Sequence, residues 1–391
     1  MALRLAAYTR GGTKPLRMLK ETQMDLSPLF TPFKIRNLEL KNRFILPAMQ
    51  RELSPGGVPS REMADYYRRR IEGGLSLIIG EATAVDHPSS THYWKYARLS
   101  GPALDGWKRV LDSVKGAGGK LFLQLWHEGA VRKEGQGPHP EAPTLSPSGL
   151  IQTGEPVGQA MTARDLADVR DAFVSAAQIA REMGFDGLEI HGAHGYLLDQ
   201  FLWHETNLRD DGYGGSLANR LRYPCEVVSA VRAAIGPDMP ISFRMSQWKE
   251  RNFEGKVAQS PEELAVQTAA LRDAGVDIFH ASTRRFWIPE FEGSDRGYAG
   301  WVKYTTDAAV ITVGSVGLDN DIMSSLHGQD AASTGTSGLG ELLRRFNNRE
   351  FDLIAVGRAA LGDPDWVNKV RDGRFGELQA FDKEKLAFLT L

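Results

Sequence analysis

The chain has 391 residues, 42% hydrophobic and 25% charged, with a formal net charge of -2, the composition of an ordinary globular protein. So even a charge balance gives no electrostatic reason to expect nucleic acid or an anionic membrane as a partner, and no apolar run approaches the ~20 residues that span a bilayer. The single cysteine, Cys225, excludes an internal disulfide and any iron–sulfur cluster held by four cysteines of this chain, and it fits a reducing, cytoplasmic compartment.

Residues 1–23 are basic, with no acid before Glu21. They have the arginine-rich, acid-poor character of an organelle-targeting segment. The simpler reading is a flexible lead-in over residues 1–27, or an over-called start, with Met24 opening the folded chain.

From Asn42 onward, short apolar runs alternate with longer amphipathic ones. NRFILPAM, LSLIIGEA, KLFLQLW, FDGLEIHG, PISFRMS, VDIFHAST, AVITVGSV and FDLIAVGR read as strands, by length and by β-branched or aromatic content. Between them lie helical patterns such as REMADYYRRRIEGG, GWKRVLDSVKGAGG, ARDLADVRDAFVSAAQIAREMG and SPEELAVQTAALRDAG. Ser260-Pro261-Glu262-Glu263 supplies an N-cap, a proline in the first turn and early acids. Gly184 and Gly275 stand where a helix C-cap is wanted. Cys225 falls in a predicted helix among apolar residues and reads as a buried structural thiol.

Eight strand-then-helix units in unbroken succession predict an α/β fold, a (β/α)8 TIM barrel over residues 28–381, followed by a C-terminal tail at 382–391. The competing doubly wound sheet lacks its G-x-G-x-x-G fingerprint; Gly116-Ala117-Gly118-Gly119 precedes a strand and reads as a helix stop. Three connections are long: 130–160, 284–310 and 318–338. All follow strands, on the face where barrels build their sites. The Ser/Thr/Gly-rich tract in the last of them reads equally as a pocket wall or a mobile segment.

Polar residues gather at these strand ends. The seventh strand runs into Gly314-Ser315 and the eighth into Gly357-Arg358, glycines that let backbone amides approach an anion, with an arginine beside them. A phosphate held there without a dinucleotide fold points to a mononucleotide. Gln124 closes the third strand. Arg244 interrupts the fifth and needs an anionic or carbonyl-rich partner, or a salt bridge to an acid such as Glu189. The fourth strand ends in His191-Gly192-Ala193-His194-Gly195-Tyr196. Two histidines three apart make a weak zinc signal without a third ligand motif. As neutral donors they suit a carbonyl or nitro oxygen, with Tyr196 as a proton donor.

These residues carry a clear resemblance. GFDGLEIHGAHGYLLDQFL with NLRDDGYGGSLANRLR, together with LFTPFKIRNLELKNRFILPAM, LIIGEATAV, LFLQLWHEGA, ITVGSV and FDLIAVGRAALGDPDW, resembles the old yellow enzyme family of FMN-dependent ene-reductases from Leu29 to about Phe381. The resemblance implies FMN on the barrel axis and NADPH or NADH as reductant. Pro47 and Ala48 would line the flavin through backbone atoms and Ala82 would lie near the ring edge. Gln124 would meet its pyrimidine side and Arg244 its N1/O2 locus. Gly314, Ser315, Gly357 and Arg358 would hold the phosphate.

The resemblance further implies that His191 and His194 bind the oxygen of an activated alkene and that Tyr196 protonates its α-carbon. The flavin N5 would deliver hydride in a ping-pong cycle. The family usually has threonine or cysteine where this chain has Met49, which leaves redox tuning at that flavin contact open. Trp287, in a loop longer than is common in the family, would reach the substrate or else pack the loop down. The implied partner is a small activated alkene. Two alternatives remain: an oxidative amine demethylase, whose larger relatives carry an iron–sulfur cluster that one cysteine cannot hold, and a flavin-binding redox sensor. The sequence does not decide between NADH and NADPH, nor between a monomer and a homo-oligomer.

Overall fold

The computed structural model describes residues 24–389; the readings placed on residues 1–23 lie outside them. Eight parallel strands close a barrel in chain order. They are β1 (Phe44–Leu46), β2 (Leu77–Ala84), β3 (Lys120–Trp126), β4 (Gly187–His194), β5 (Ile241–Lys249), β6 (Ile278–Ser282), β7 (Ala309–Val313) and β8 (Leu353–Ala355). Each expected apolar run is one of them. The ring closes where β8 meets β1, with Ile354 opposite Phe44 and Ala355 opposite Ile45. Every residue of β2 and β4 is buried, because a parallel strand is covered on both faces.

The helices are α1 (Arg61–Glu72), α2 (Ala103–Gly116), α3 (Ala163–Met183), α4 (Leu197–Leu202), α5 (Leu217–Ile235), α6 (Pro261–Ala274), α7 (Tyr298–Thr305), α8 (Ile322–Leu326), α9 (Gly335–Asn347), α10 (Arg358–Gly362) and α11 (Trp366–Arg371). Their ends follow the local chemistry. The Ser260 hydroxyl accepts from the Glu263 amide, and Thr162 and Asp165 form a reciprocal capping box on α3, each satisfying an otherwise orphaned donor. Gly184 ends α3 at φ 88°, a left-handed cap. Cys225 lies within α5, half-buried, and burial pushes its thiol up to about 11.

An antiparallel hairpin, Phe33–Ile35 against Leu38–Leu40, plugs the barrel's N-terminal end. Leu38 and Leu40 join the first residues of the strands, among them Leu77, Ile278, Ala309 and Leu353, in one buried cluster. The opposite end is left for the site. The connection at 130–160 carries two small sheets, Leu145–Ser146 with Gln159–Ala160 and Leu150–Gln152 with Glu155–Pro156. The Ser/Thr/Gly tract packs onto the barrel body: its end forms the start of α9, and Ala331 is buried in a bridge to Phe381. The expected tail also belongs to the body. Lys383–Leu386 forms a 3-10 turn, and the Arg51 guanidinium donates to the carbonyls of Lys385, Leu386 and Phe388.

Among the described residues no helix is long and apolar enough to cross a membrane.

Candidate active site

A cavity of about 660 Å³ opens at the C-terminal mouth of the barrel, within the ~300–1,000 Å³ usual for small-molecule sites. Pro47, Ala48, Met49, Ala82, Gln124, His191, His194, Tyr196, Arg244, Gly314, Ser315, Gly357 and Arg358 all line it. Residues spread over more than 300 positions of sequence are thus brought to one wall. Trp287 is not among the lining residues. Its ring stands edge-on to Phe286 at 5.2 Å and its carbonyl accepts from Arg345 at 2.9 Å, so the aromatics of this loop pack it down and the substrate role expected for Trp287 is corrected.

The end of β4 is built by a register shift. His191 lies opposite Arg244 and Gly192 opposite Met245, but His194 lies opposite Lys249. Such a bulge re-aims side chains at a strand end. His194 adopts φ 65°, a conformation costly for a non-glycine residue and typical of functional turns. The turn is clamped from α4, where Asp199 accepts from the Gly195 amide at 2.6 Å and Gln200 donates to the Gly195 carbonyl at 2.6 Å.

This turn stacks three rings. The His191 ring lies 5.1 Å from that of His194 and 5.0 Å from that of Tyr196, both edge-on. The His191 Nδ1 accepts from the Ala193 amide at 3.3 Å, which puts its proton on Nε2. The His194 Nε2 lies 2.8 Å from the Ser282 hydroxyl. Because Arg244 only donates, and lies 3.4 Å from that hydroxyl, Ser282 gives its proton to His194 and leaves the histidine proton on Nδ1. Burial, reinforced by the Arg244 charge, lowers His191 to about 3 and holds His194 well below the ordinary histidine range. Both are neutral imidazoles at neutral pH. Tyr196 is held well above the usual phenol range by desolvation and by the Glu250 carboxylate, so its proton is in place.

Beneath the rings sits Glu189, fully buried. It accepts from Gln124 at 2.8 Å and Ser242 at 2.9 Å, and meets the His280 Nδ1 at 2.8 Å. Burial alone would raise its pKa, but His280, Arg244 and Ser242 together hold it at about 2. Its charge fixes Gln124 and balances Arg244 without touching it. The Arg244 guanidinium instead donates to the Ala48 carbonyl at 2.9 Å, so of the partners considered for Arg244, the carbonyl is the one found.

At the other end of the cavity, Gly314 adopts φ 138°, and a Cβ there would come within 2.5 Å of Thr283. Ser315 follows at φ 53°. The amides of Ser315, Gly357 and Arg358 donate to no backbone acceptor among the described residues. Arg358 is more engaged than expected. It donates to the Asn320 side chain at 2.8 Å, the Asp321 carbonyl at 3.0 Å and Ser325 at 2.7 Å, tying α10 to the segment after β7. Burial brings it down to about 10, still a cation at neutral pH.

Several lining residues were not singled out from the sequence: Tyr96, Trp126, Trp248, Glu250, Ser282 and Arg284. Ser282 was within reach, being a polar strand end like Gln124 and Arg244. Trp248 and Glu250 were hidden because β5 runs to Lys249, past the apolar part of PISFRMS, where no alternation marks a strand. Tyr96 carries no sequence signal.

The model of the NADH:flavin oxidoreductase / NADH oxidase family matches residues 28–335. The chain belongs to this family. It is 32% identical to an NADH oxidase of Thermoanaerobacter brockii over 90% of its own length, and spans about half of that protein (52%). It is 36% identical to putative 12-oxophytodienoate reductase 11 of Oryza sativa subsp. japonica, covering 87% of this chain and 89% of that one. The structure of morphinone reductase in complex with tetrahydroNAD superposes with a TM-score of 0.75 at 27% identity, covering 92% of this chain and 93% of that one.

A flavin mononucleotide is this family's cofactor, and the cavity suits one. The small residues Ala48, Ala82 and Ala355 leave room for a flat ring at the strand ends, and the mouth carries Arg244, Arg284 and Arg358 for an anion. Gly357 faces the same space, since a Cβ there would lie 3.4 Å from the Met49 sulfur.

Proposed function

We propose that the protein is an FMN-dependent NAD(P)H oxidoreductase that reduces activated C=C bonds of α,β-unsaturated carbonyl or nitro compounds. The observation that carries this reading is the triad of His191, His194 and Tyr196. Two neutral imidazoles and a protonated phenol, about 5 Å ring to ring, share one cavity with a flavin-sized space.

FMN, when bound, would supply the hydride-transfer chemistry between NAD(P)H and the alkene β-carbon, in a ping-pong order. The chain's own residues do the rest. Pro47, Ala48, Met49, Ala82, Gln124 and Arg244 would hold the ring, and Gly314, Ser315, Gly357 and Arg358 the phosphate. The buried Arg244 charge, lining the same cavity, would favour added negative charge on the ring. His191 through Nε2–H and His194 through Nδ1–H hold the oxygen of the electron-withdrawing group. Neutral donors suit this task, because they polarise the oxygen without competing as acids. Tyr196 gives its Oη proton to the α-carbon.

Likeness to the oxophytodienoate and morphinone reductases supports the substrate class, and the tetrahydroNAD complex supports a nicotinamide reductant. The test is an anaerobic half-reaction pair. NADPH or NADH should bleach the yellow holoprotein, and cyclohexenone or maleimide should restore the colour. Bleaching that no activated alkene reverses would overturn the proposal. Changing Tyr196→Phe should slow the alkene step more than the nicotinamide step.

A further inference from the structure

The Tyr196 hydroxyl is not free in the cavity: it donates to the Glu250 Oε1 at 3.1 Å. Glu250 is placed for this contact by its backbone, whose amide donates to the His194 carbonyl at 3.2 Å. It therefore rides on the same turn as the three site rings. Glu250 lines the cavity, yet as a residue it is exposed at the rim, so it connects the phenol to bulk water by a group that titrates.

We propose that Glu250 is a positioning residue for Tyr196, holding the phenol hydrogen toward itself when ionised and releasing it toward the substrate when protonated. The proposal rests on the reading of Tyr196 as the proton donor. The chemistry is simple. An ionised carboxylate only accepts, so it competes with the substrate's α-carbon for the Tyr196 proton and raises the cost of losing it. A protonated Glu250 has a hydrogen of its own to give. As the Oη–H bond of Tyr196 breaks and the α-carbon–H bond forms, the Glu250 carboxyl passes its proton to the phenolate oxygen, and a proton from bulk solvent then restores Glu250. One solvent proton enters for each alkene reduced, as the overall reaction with NAD(P)H requires.

The groups facing this carboxyl come from several elements: Tyr196 after β4, Arg244 and Arg251 on and after β5, and Tyr96 and Glu128 from the connections after β2 and β3. Desolvation against the aromatic wall raises Glu250, while Tyr196 and the two arginines pull it down, and the net direction is up. This moves its titration toward neutral pH.

The test measures alkene reoxidation of the reduced holoenzyme, divided by the rate of NAD(P)H reduction, from about pH 5 to 8. In the wild type this ratio should rise several-fold as pH falls through the Glu250 titration. In Glu250→Gln the rise should vanish, and in Glu250→Asp, which keeps a carboxyl, a pH-dependent limb should persist. A Glu250→Gln profile that matches the wild type overturns the proposal. Tyr196→Phe, measured alongside, separates the two failures: if it slows the alkene step selectively while Glu250→Gln keeps the wild-type profile, only the Glu250 role falls. If Tyr196→Phe leaves the alkene step intact, the proton-donor reading falls and takes the Glu250 role with it.

Discussion

Lys249 and Asp199 form an ion pair at 2.8 Å with side chains 3% and 0% exposed. Lys249 is the last residue of β5 and Asp199 lies in α4. The other oxygen of Asp199 holds the Gly195 amide. The Lys249 ammonium also lies over the Trp203 ring, 5.6 Å from its centre. The pair joins the end of one strand to the turn that carries Tyr196, and a buried charge of this kind is tolerated only because it is matched.

Lys249→Met should therefore destabilise the protein by ~3–5 kcal/mol, since it leaves the Asp199 carboxylate buried and unpaired. Adding Asp199→Leu should recover much of that stability in urea unfolding. The alkene half-reaction should stay slow in the double variant, because the Gly195 amide has lost its acceptor and the turn its clamp. A double variant that is both stable and fully active would show that the pair does not position Tyr196.

Acid should unfold the protein early. His191 at about 3, and His194 and His127, also lowered by burial, stay neutral in the folded state, whereas in the unfolded chain they protonate near ~6.5. Below that pH the unfolded state binds protons the folded state refuses, so stability falls as pH falls, by up to ~1.4 kcal/mol per pH unit for each histidine, and is unaffected by these groups above it. Glu189, held at about 2, adds a second loss only below the ordinary carboxylate range. Thermal melts between about pH 7.5 and 5 check this, and an unchanging midpoint would contradict it.

Gly314→Ala should loosen FMN. The position needs φ 138°, and the new methyl would meet the Thr283 carbonyl and hydroxyl at 2.5 Å. Relief of that clash displaces the amides that follow. A loss of ~1.4 kcal/mol corresponds to tenfold weaker binding, readable by flavin fluorescence on titrating apoprotein. Affinity within error of wild type would mean that the β7 end does not touch the phosphate.

Met49 lines the cavity where its thioether, a weak acceptor, has no hydrogen to give. Met49→Thr introduces a hydroxyl donor, which should favour the electron-rich reduced flavin and shift its midpoint potential upward. Dye-equilibration titration measures the shift. A downward shift would show that the hydroxyl does not reach the ring.

The barrel was readable because each strand is buried on both faces and therefore continuous in apolar residues, a pattern that survives without any knowledge of neighbours. Gln124, Arg244 and the glycines at 314 and 357 stood out as interruptions of that pattern. Trp287 misled because an aromatic residue in a long loop serves packing and binding equally well, and only its contact with Phe286 separates the two. Glu250 was overlooked because an exposed-looking charged stretch carries no period, although its carboxyl reaches the Tyr196 phenol.

By itself, the sequence determined the eight-stranded barrel and the identity of the groups at the strand ends, because burial periodicity and residue chemistry are local properties. What surrounds Tyr196 was left to the tertiary structure. The bulge at His194, the Asp199 clamp and the hydrogen bond to Glu250 all join residues that are distant in sequence or that change direction within a single turn. Whether a histidine is neutral, and toward what a phenol points, depends on the water excluded and the charges gathered around it, and these exist only once the chain has closed.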